Sequence, residues 1–127
     1  QIVQPHSTKE IIKAIQATHG KISIGGGRFS MGGQIGYNNS LHFDMREFNN
    51  VISIDKDNKQ IKVQAGITWR DLQKIIDKEN LSIKIMQTYA NFSVGGSISV
   101  NCHGRYIGHG PIISSVLELK LIIILIL

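Results

Sequence analysis

The sequence predicts an α+β fold built as two helix–strand units, the second starting near Gly66. Three observations carry this. Two short apolar stripes at helical spacing each follow a side-chain cap, and a polar turn separates two strand-like segments. Eleven of the 13 glycines also fall into two groups, between positions 25 and 36 and between 95 and 110. With 127 residues, 42% hydrophobic and 18% charged, the chain is one domain's worth of protein with a real core, and its composition excludes a disordered segment.

Ser7-Thr8-Lys9-Glu10 reads as a capping box, after which Ile11, Ile12 and Ile15 form a helical stripe that stops at Gly20. Residues 21–24 form a short strand running directly into Gly25-Gly26-Gly27, and residues 41–45 form another. Residues 51–54 and 60–65 flank the polar turn Asp55-Lys56-Asp57-Asn58 as a hairpin. Thr68 caps a second helix whose buried stripe is Trp69, Leu72, Ile75 and Ile76. Residues 81–85 are expected as a strand and residues 93–100 as a brief helix. Residues 115–121 alternate as a half-buried strand, with Leu117, Leu119 and Leu121 on one face. Residues 121–127 are all aliphatic, so both faces of that segment need cover, and the isolated chain is expected to self-associate through it. The chain opens at Gln1 without a methionine, which suggests an excised piece of a longer protein.

Several function classes are excluded on composition. One cysteine supports neither a disulfide framework nor a zinc ribbon, and no metal site is expected. No 18-residue apolar run and no charged leader followed by an apolar stretch occur, so no membrane span is expected and the cytoplasm is favoured as compartment. The net charge is +5, but the 14 basic residues are interleaved with acids and aromatics are only 6%. Nothing there tracks a nucleic-acid backbone or stacks bases. A modest positive balance suits a small anionic ligand.

Glycine serves where backbone turns with positive φ or approaches another group closely. Two glycine-dense loops in one small domain therefore suggest a single ligand cradled by backbone. The first loop, Gly25-Gly26-Gly27-Arg28-Phe29-Ser30-Met31-Gly32-Gly33-Gln34, has glycine where a Walker loop needs lysine, and Ser30 where a Rossmann fingerprint needs its third glycine. What remains is a strand feeding a nest of N–H groups, with Arg28 and Ser30 as further donors to a phosphate or pyrophosphate. In the second loop Ser93 caps a helix beginning Val94-Gly95-Gly96, whose bare N–H groups are expected to form a second anion site. His103, beside Gly104, is a proton-transfer group, a donor to a heterocycle, or a satisfied buried histidine.

Together, the first glycine loop, Phe43-Asp44-Met45, Gly66-Ile67-Thr68-Trp69-Arg70-Asp71-Leu72, Ser93-Val94-Gly95-Gly96 and His103-Gly104 resemble the FAD-binding (PCMH-type) domain of the vanillyl-alcohol oxidase/para-cresol methylhydroxylase superfamily. The resemblance runs over nearly the whole chain, and within the superfamily it looks similar to the aldonolactone-oxidase and decaprenylphosphoryl-ribose-oxidase-like branches. It implies a two-subdomain α+β fold with FAD between the halves: residues 1–65 as the first subdomain, residues 66–127 as the start of an incomplete second one. It also implies a separate substrate-binding domain, absent from this sequence, through which a small-molecule substrate is reached. The implied activity is oxidation of an alcohol-type C–H/O–H centre by hydride transfer to the flavin, with the fragment alone inactive. A non-catalytic nucleotide- or phosphate-binding module is the competing reading.

Carried over by residue, the resemblance places Gly25, Gly26, Gly27, Arg28, Phe29 and Ser30 around the FAD pyrophosphate, with Gln34 nearby. Thr88, Ser93, Val94, Gly95, Gly96 and Ser97 would line the flavin and its phosphates. Asn101, His103 and Gly104 would lie toward the isoalloxazine, and Gly110 and Ser114 would help close the site. No catalytic base is assigned beyond His103. Covalent members often carry a flavin-linking histidine where this chain has Arg28, and bicovalent members a cysteine where it has Asn91, so the FAD is expected to be held noncovalently. Cys102 lies past that position and is expected to be a packed core thiol. A proline common before the second loop is missing near Gln87, and the family pattern stops after Lys120.

Overall fold

Parallel strands cannot be joined by a tight turn, and that requirement shapes the first half of the molecule. The structure is a computed structural model and describes residues 1–123. Strand β1 (Ile2–Val3) and strand β2 (Ile22–Gly25) both pair in parallel with β3 (Leu41–Asp44), giving a three-stranded sheet of order β1-β3-β2. The crossover from β2 to β3 is residues 26–40, the first glycine-rich segment, and it contains no helix. Helix α1 (Thr8–Gln16) starts where Ser7 Oγ accepts the Glu10 N–H at 3.2 Å, while the Glu10 carboxylate takes the His6 N–H at 2.9 Å. Its Ile11 closes a small core with Leu41 and Phe43, joined by Val3, Ile15 and Ile22.

The second core is larger. Strands β4 (Val51–Asp55) and β5 (Gln60–Val63) form the expected antiparallel hairpin, with the turn held by Asp55 accepting from Asn58. Helix α2 (Trp69–Ile76) is capped by Thr68 and buries Trp69, Leu72 and Ile76. Helix α3 (Val94–Ser99) is capped by Ser93. Ile67, Ile85, Val94 and Ile112 complete this core, and Val51, Ile61 and Val63 of the hairpin pack against it. The hairpin, read above with residues 1–65, therefore contributes its apolar side chains to the second cluster.

Three expectations change. Residues 81–85 are not a strand. Their alternation is real, since Leu81, Ile83 and Ile85 pack into the second core. No strand among the described residues runs beside them, however, and their backbone bonds instead to the Gln73 side chain: Ile83 N–H donates to Oε1 at 3.2 Å and Nε2 donates to the Leu81 carbonyl at 3.2 Å. Residues 115–121 are not a strand either. A 3₁₀ turn spans Ile112–Ser115, and Leu117, Leu119 and Leu121 beyond it are exposed. Finally, α1 ends at Gln16 rather than at Gly20: the last turn tightens as Thr18 N–H donates to the Ile15 carbonyl at 3.0 Å while its Oγ1 donates to the Ala14 carbonyl at 2.8 Å. The aliphatic segment 121–127 lies partly outside the described residues. No described helix is long and apolar enough to cross a membrane.

Between the two cores the chain makes one unusually close crossing. Gly66 donates its N–H to the Phe48 carbonyl at 2.7 Å, and a Cβ there would lie 2.7 Å from that oxygen while colliding with the Met45 carbonyl. No rotamer change relieves a backbone clash. Gly66→Ala is expected to lower unfolding free energy by about 3 kcal/mol, the upper end of overpacking costs. Urea denaturation of the purified protein checks this, with a lower midpoint as the predicted result.

Candidate functional site

The two glycine segments, far apart in sequence, meet. A Cβ on Gly26 would sit 2.5 Å from Ser93 Oγ, and one on Gly27 would sit 3.2 Å from the Asn91 carbonyl and 2.9 Å from the Phe29 ring. Phe29 packs edge-on against Tyr89 and Phe92, with ring centroids 5.0 and 5.1 Å away. The segment they rest on is itself tied to α2: Trp69 N–H donates to the Phe92 carbonyl at 3.1 Å, Arg70 N–H to the Ala90 carbonyl at 2.8 Å, and Arg70 Nε to Asn91 Oδ1 at 2.6 Å. Among the described residues, no protein acceptor is paired with the backbone N–H groups of residues 26–30. That is the condition a backbone nest needs.

Beside this junction lies a cleft of ≈ 400 Å³ lined by Gln87, Thr88, Tyr89, Phe92, Cys102 and His103. Thr88 and His103 were expected at the site; Gln87, Tyr89, Phe92 and Cys102 were not. Cys102, expected as a packed core thiol, is only half-buried and faces the cleft. His103 is exposed, with Nδ1 3.0 Å from the Gly104 carbonyl, so it is not a buried histidine. Gln87 is 5% exposed and ends a polar chain through the core: Trp69 Nε1 donates to Ser97 Oγ at 2.8 Å, and Ser97 Oγ donates to Gln87 Oε1 at 2.9 Å. The Gln87 Nε2 has no partner among the described residues. A larger hollow of ≈ 720 Å³ near Gly20, Lys21 and Tyr37 is less suited to a ligand, because the Lys21 ammonium bonds the Tyr37 hydroxyl and lies over its ring.

Other expected residues behave differently. The start of α3 does not present bare donors: Val94 N–H donates to the Ile67 carbonyl at 2.8 Å, Gly95 N–H to the Ala65 carbonyl at 2.7 Å, and Gly96 N–H to Ser93 Oγ at 3.3 Å. Gly95 is glycine because a Cβ would lie 2.8 Å from Ala65 Cβ, so this turn docks one core onto the chain entering α2. Gln34 folds over Gly32 in its own loop, and Gly25 lies against the His42 ring. Gly104 passes close to the Met86 carbonyl, and Gly110 lies beside Ser114 at the surface. Asn101, in the left-handed region at φ 45°, accepts from the Ile113 N–H at 3.4 Å. The Ser30 side chain is exposed and the Arg28 guanidinium pairs with Asp44 at 2.9 Å.

Asp44, named above within the Phe43-Asp44-Met45 landmark, is given no site role by the sequence, although a carboxylate between Phe43 and Met45 in a strand is a visible signal. It is 2% exposed. The Arg46 side chain hydrogen-bonded to it, and the Arg28 charge beside it, hold its carboxyl well below the usual 3.8. A depressed pKa contributes stability that is present above the ordinary value and is lost as the pH falls below it.

The Trp69–Ser97–Gln87 chain generates a test. Ser97→Ala leaves the indole N–H and the Gln87 carbonyl buried without a partner, at about 1–3 kcal/mol for each unsatisfied group. Because Trp69 is the only tryptophan, the variant is expected to unfold at lower urea with a shifted native emission maximum, and tryptophan fluorescence reads both.

The family model described as FAD binding domain matches residues 1–123. The chain is 29% identical over 113 residues to L-gulonolactone oxidase of Mus musculus, covering 89% of this chain and 26% of that protein. It is 32% identical over 122 residues to the putative D-arabinono-1,4-lactone oxidase of Neurospora crassa, covering 94% and 22%. Among solved structures, an alkyldihydroxyacetonephosphate synthase superposes with a TM-score of 0.77 at 26% identity, over 89% of this chain and 22% of that one. The chain thus spans about a quarter of the length of these relatives, and over that span, in sequence and in fold, it belongs to the FAD binding domain family.

Proposed function

We propose that this chain is the flavin-holding part of an FAD-dependent oxidoreductase that oxidises a small molecule at an alcohol-type C–H/O–H centre, and that it holds FAD without a covalent bond. The observation that carries the reading is the convergence of Gly26 and Gly27 on residues 91–93, with the N–H groups of residues 26–30 left without acceptors among the described residues. When bound, FAD supplies the hydride acceptor, and the protein supplies position and electrostatics. Gly25, Gly26, Gly27, Phe29 and Ser30 form the cradle for the pyrophosphate, where a side chain at 26 or 27 would displace the loop. Thr88 and His103 face the neighbouring cleft, Ser93 lies against Gly26, and Gln87 Nε2 is a buried donor that an acceptor on the ligand would satisfy. Val94, Gly95, Gly96 and Ser97 hold that wall in place from behind.

In this reading residues 1–65 form the first subdomain and the second begins at Gly66, with the hairpin of the first packed on the second core. Substrate binding belongs mostly to residues outside this sequence, and His103 is the one candidate base within it. Two of the relatives named above are lactone oxidases by name, which favours an oxidoreductase over a non-catalytic nucleotide module.

Side-chain chemistry at two positions supports noncovalent attachment. Neither a guanidinium paired with a carboxylate, as at Arg28, nor an amide accepting from an arginine, as at Asn91, is a nucleophile toward the flavin ring. Acid precipitation of the flavin-loaded full-length protein is expected to leave all colour in the supernatant; colour retained in the pellet would contradict the claim. Gly26→Val is expected to weaken FAD binding about 100-fold, since overpacking of about 3 kcal/mol falls on the cradle itself. The flavin-to-protein absorbance ratio after purification measures it, and an unchanged ratio removes the loop from the site.

A further inference from the structure

We infer that Asp44 is a positioning residue of the glycine loop, and that Arg28 acts through Asp44 as a clasp rather than as a partner of the cofactor phosphates. The inference rests on the cofactor reading above and deepens it. Arg28 adopts φ 62°, one of the left-handed conformations that non-glycine residues avoid, and it does so in the middle of the cradle. Such a conformation persists only where the surroundings hold it. Here the holding contact is explicit: Arg28 Nη2 donates to Asp44 Oδ2 at 2.9 Å.

The far side of that contact is built to stay still. Asp44 is the last residue of β3 and lies in register with Gly25, the last residue of β2, so it sits at the base of the loop it clasps. Arg46 fixes the carboxylate through Nε to Oδ1 at 2.9 Å, Nη2 to Oδ2 at 2.6 Å, and its backbone N–H to Oδ1 at 3.3 Å. Gln4 Nε2 adds a weaker contact to Oδ2 at 3.5 Å. A buried carboxylate with this many donors has one available orientation, and Arg28 reads it. Breaking the clasp frees Arg28 to leave the left-handed region, which turns the N–H groups on either side of it away from a common target.

Glycine at position 28 separates a clasp from a ligand contact, because it reaches positive φ without help. In the full-length flavoprotein, Arg28→Ala and Asp44→Asn are each expected to raise the FAD dissociation constant by about 10-fold, whereas Arg28→Gly stays within about 3-fold of wild type. Fluorescence quenching of added FAD reads all three. Arg28→Gly falling as far as Arg28→Ala would overturn the clasp, because it would mean that the guanidinium itself touches the cofactor. A second readout needs no flavin: trypsin cleavage after Arg28 in the apoprotein is expected to be about 10-fold faster in Asp44→Asn than in wild type, as local opening becomes easier. Equal cleavage rates would overturn the inference even if the protein bound no FAD. Failure of wild type to bind FAD would overturn only the functional reading above.

Discussion

The parallel pairing of β2 with β3 is the constraint from which the rest of the site follows. Two adjacent parallel strands require a long connection that returns to the same end of the sheet. Most small α/β units use a helix for it; here residues 26–40 make the return without one. An irregular segment of that length carries many backbone polar groups that no ladder satisfies. It needs a support that contacts it without taking up its N–H groups. The support is the 89–93 segment, whose aromatic rings and Ser93 press against Phe29 and Gly26.

That support is itself held by backbone bonds concentrated around residues 65–70. The carbonyls of Ala65 and Ile67 receive the first N–H groups of α3, and the N–H groups of Trp69 and Arg70 reach back to the carbonyls of Phe92 and Ala90. Gly66, in the middle of this exchange, also bonds to Phe48 on the side of the first core. One short stretch therefore connects the sheet, α2 and α3. Displacement there would reach the cradle through rigid backbone contacts rather than through side chains that could repack.

Charge is used sparingly and locally. The net positive balance is spread over the surface, but at the carboxyl ends of β2 and β3 two arginines converge on one buried carboxylate. The cluster keeps one positive charge in excess beside the cradle, which suits a ligand carrying phosphates. In open sheets with parallel strands, ligands gather at the carboxyl ends of the strands, and the glycine loop opens at that end here.

Local chemistry alone was enough to read much of this molecule. Ser7, Thr68 and Ser93 are caps in fact because a hydroxyl before an apolar stripe satisfies helix N–H groups whatever lies elsewhere in the chain. The hairpin turn at 55–58 and the crowding of glycine into two loops were legible for the same reason, and the order of motifs was enough to suggest the family. Partners distant in sequence were not legible. Residues 81–85 alternate as a strand does, yet the Gln73 side chain stands where a neighbouring strand would. The α3 start looks like an anion site until Ala65 and Ile67 arrive to take its donors. The roles of Gln87 and Asp44 come from what surrounds them: Ser97 and Trp69 behind one, Arg28 and Arg46 around the other. Sequence by itself determined the caps, the turns and the glycine positions, since each depends on a few neighbouring residues. Only the tertiary structure decided which donors remain free for a ligand, since that depends on which carbonyls the fold brings within 3 Å.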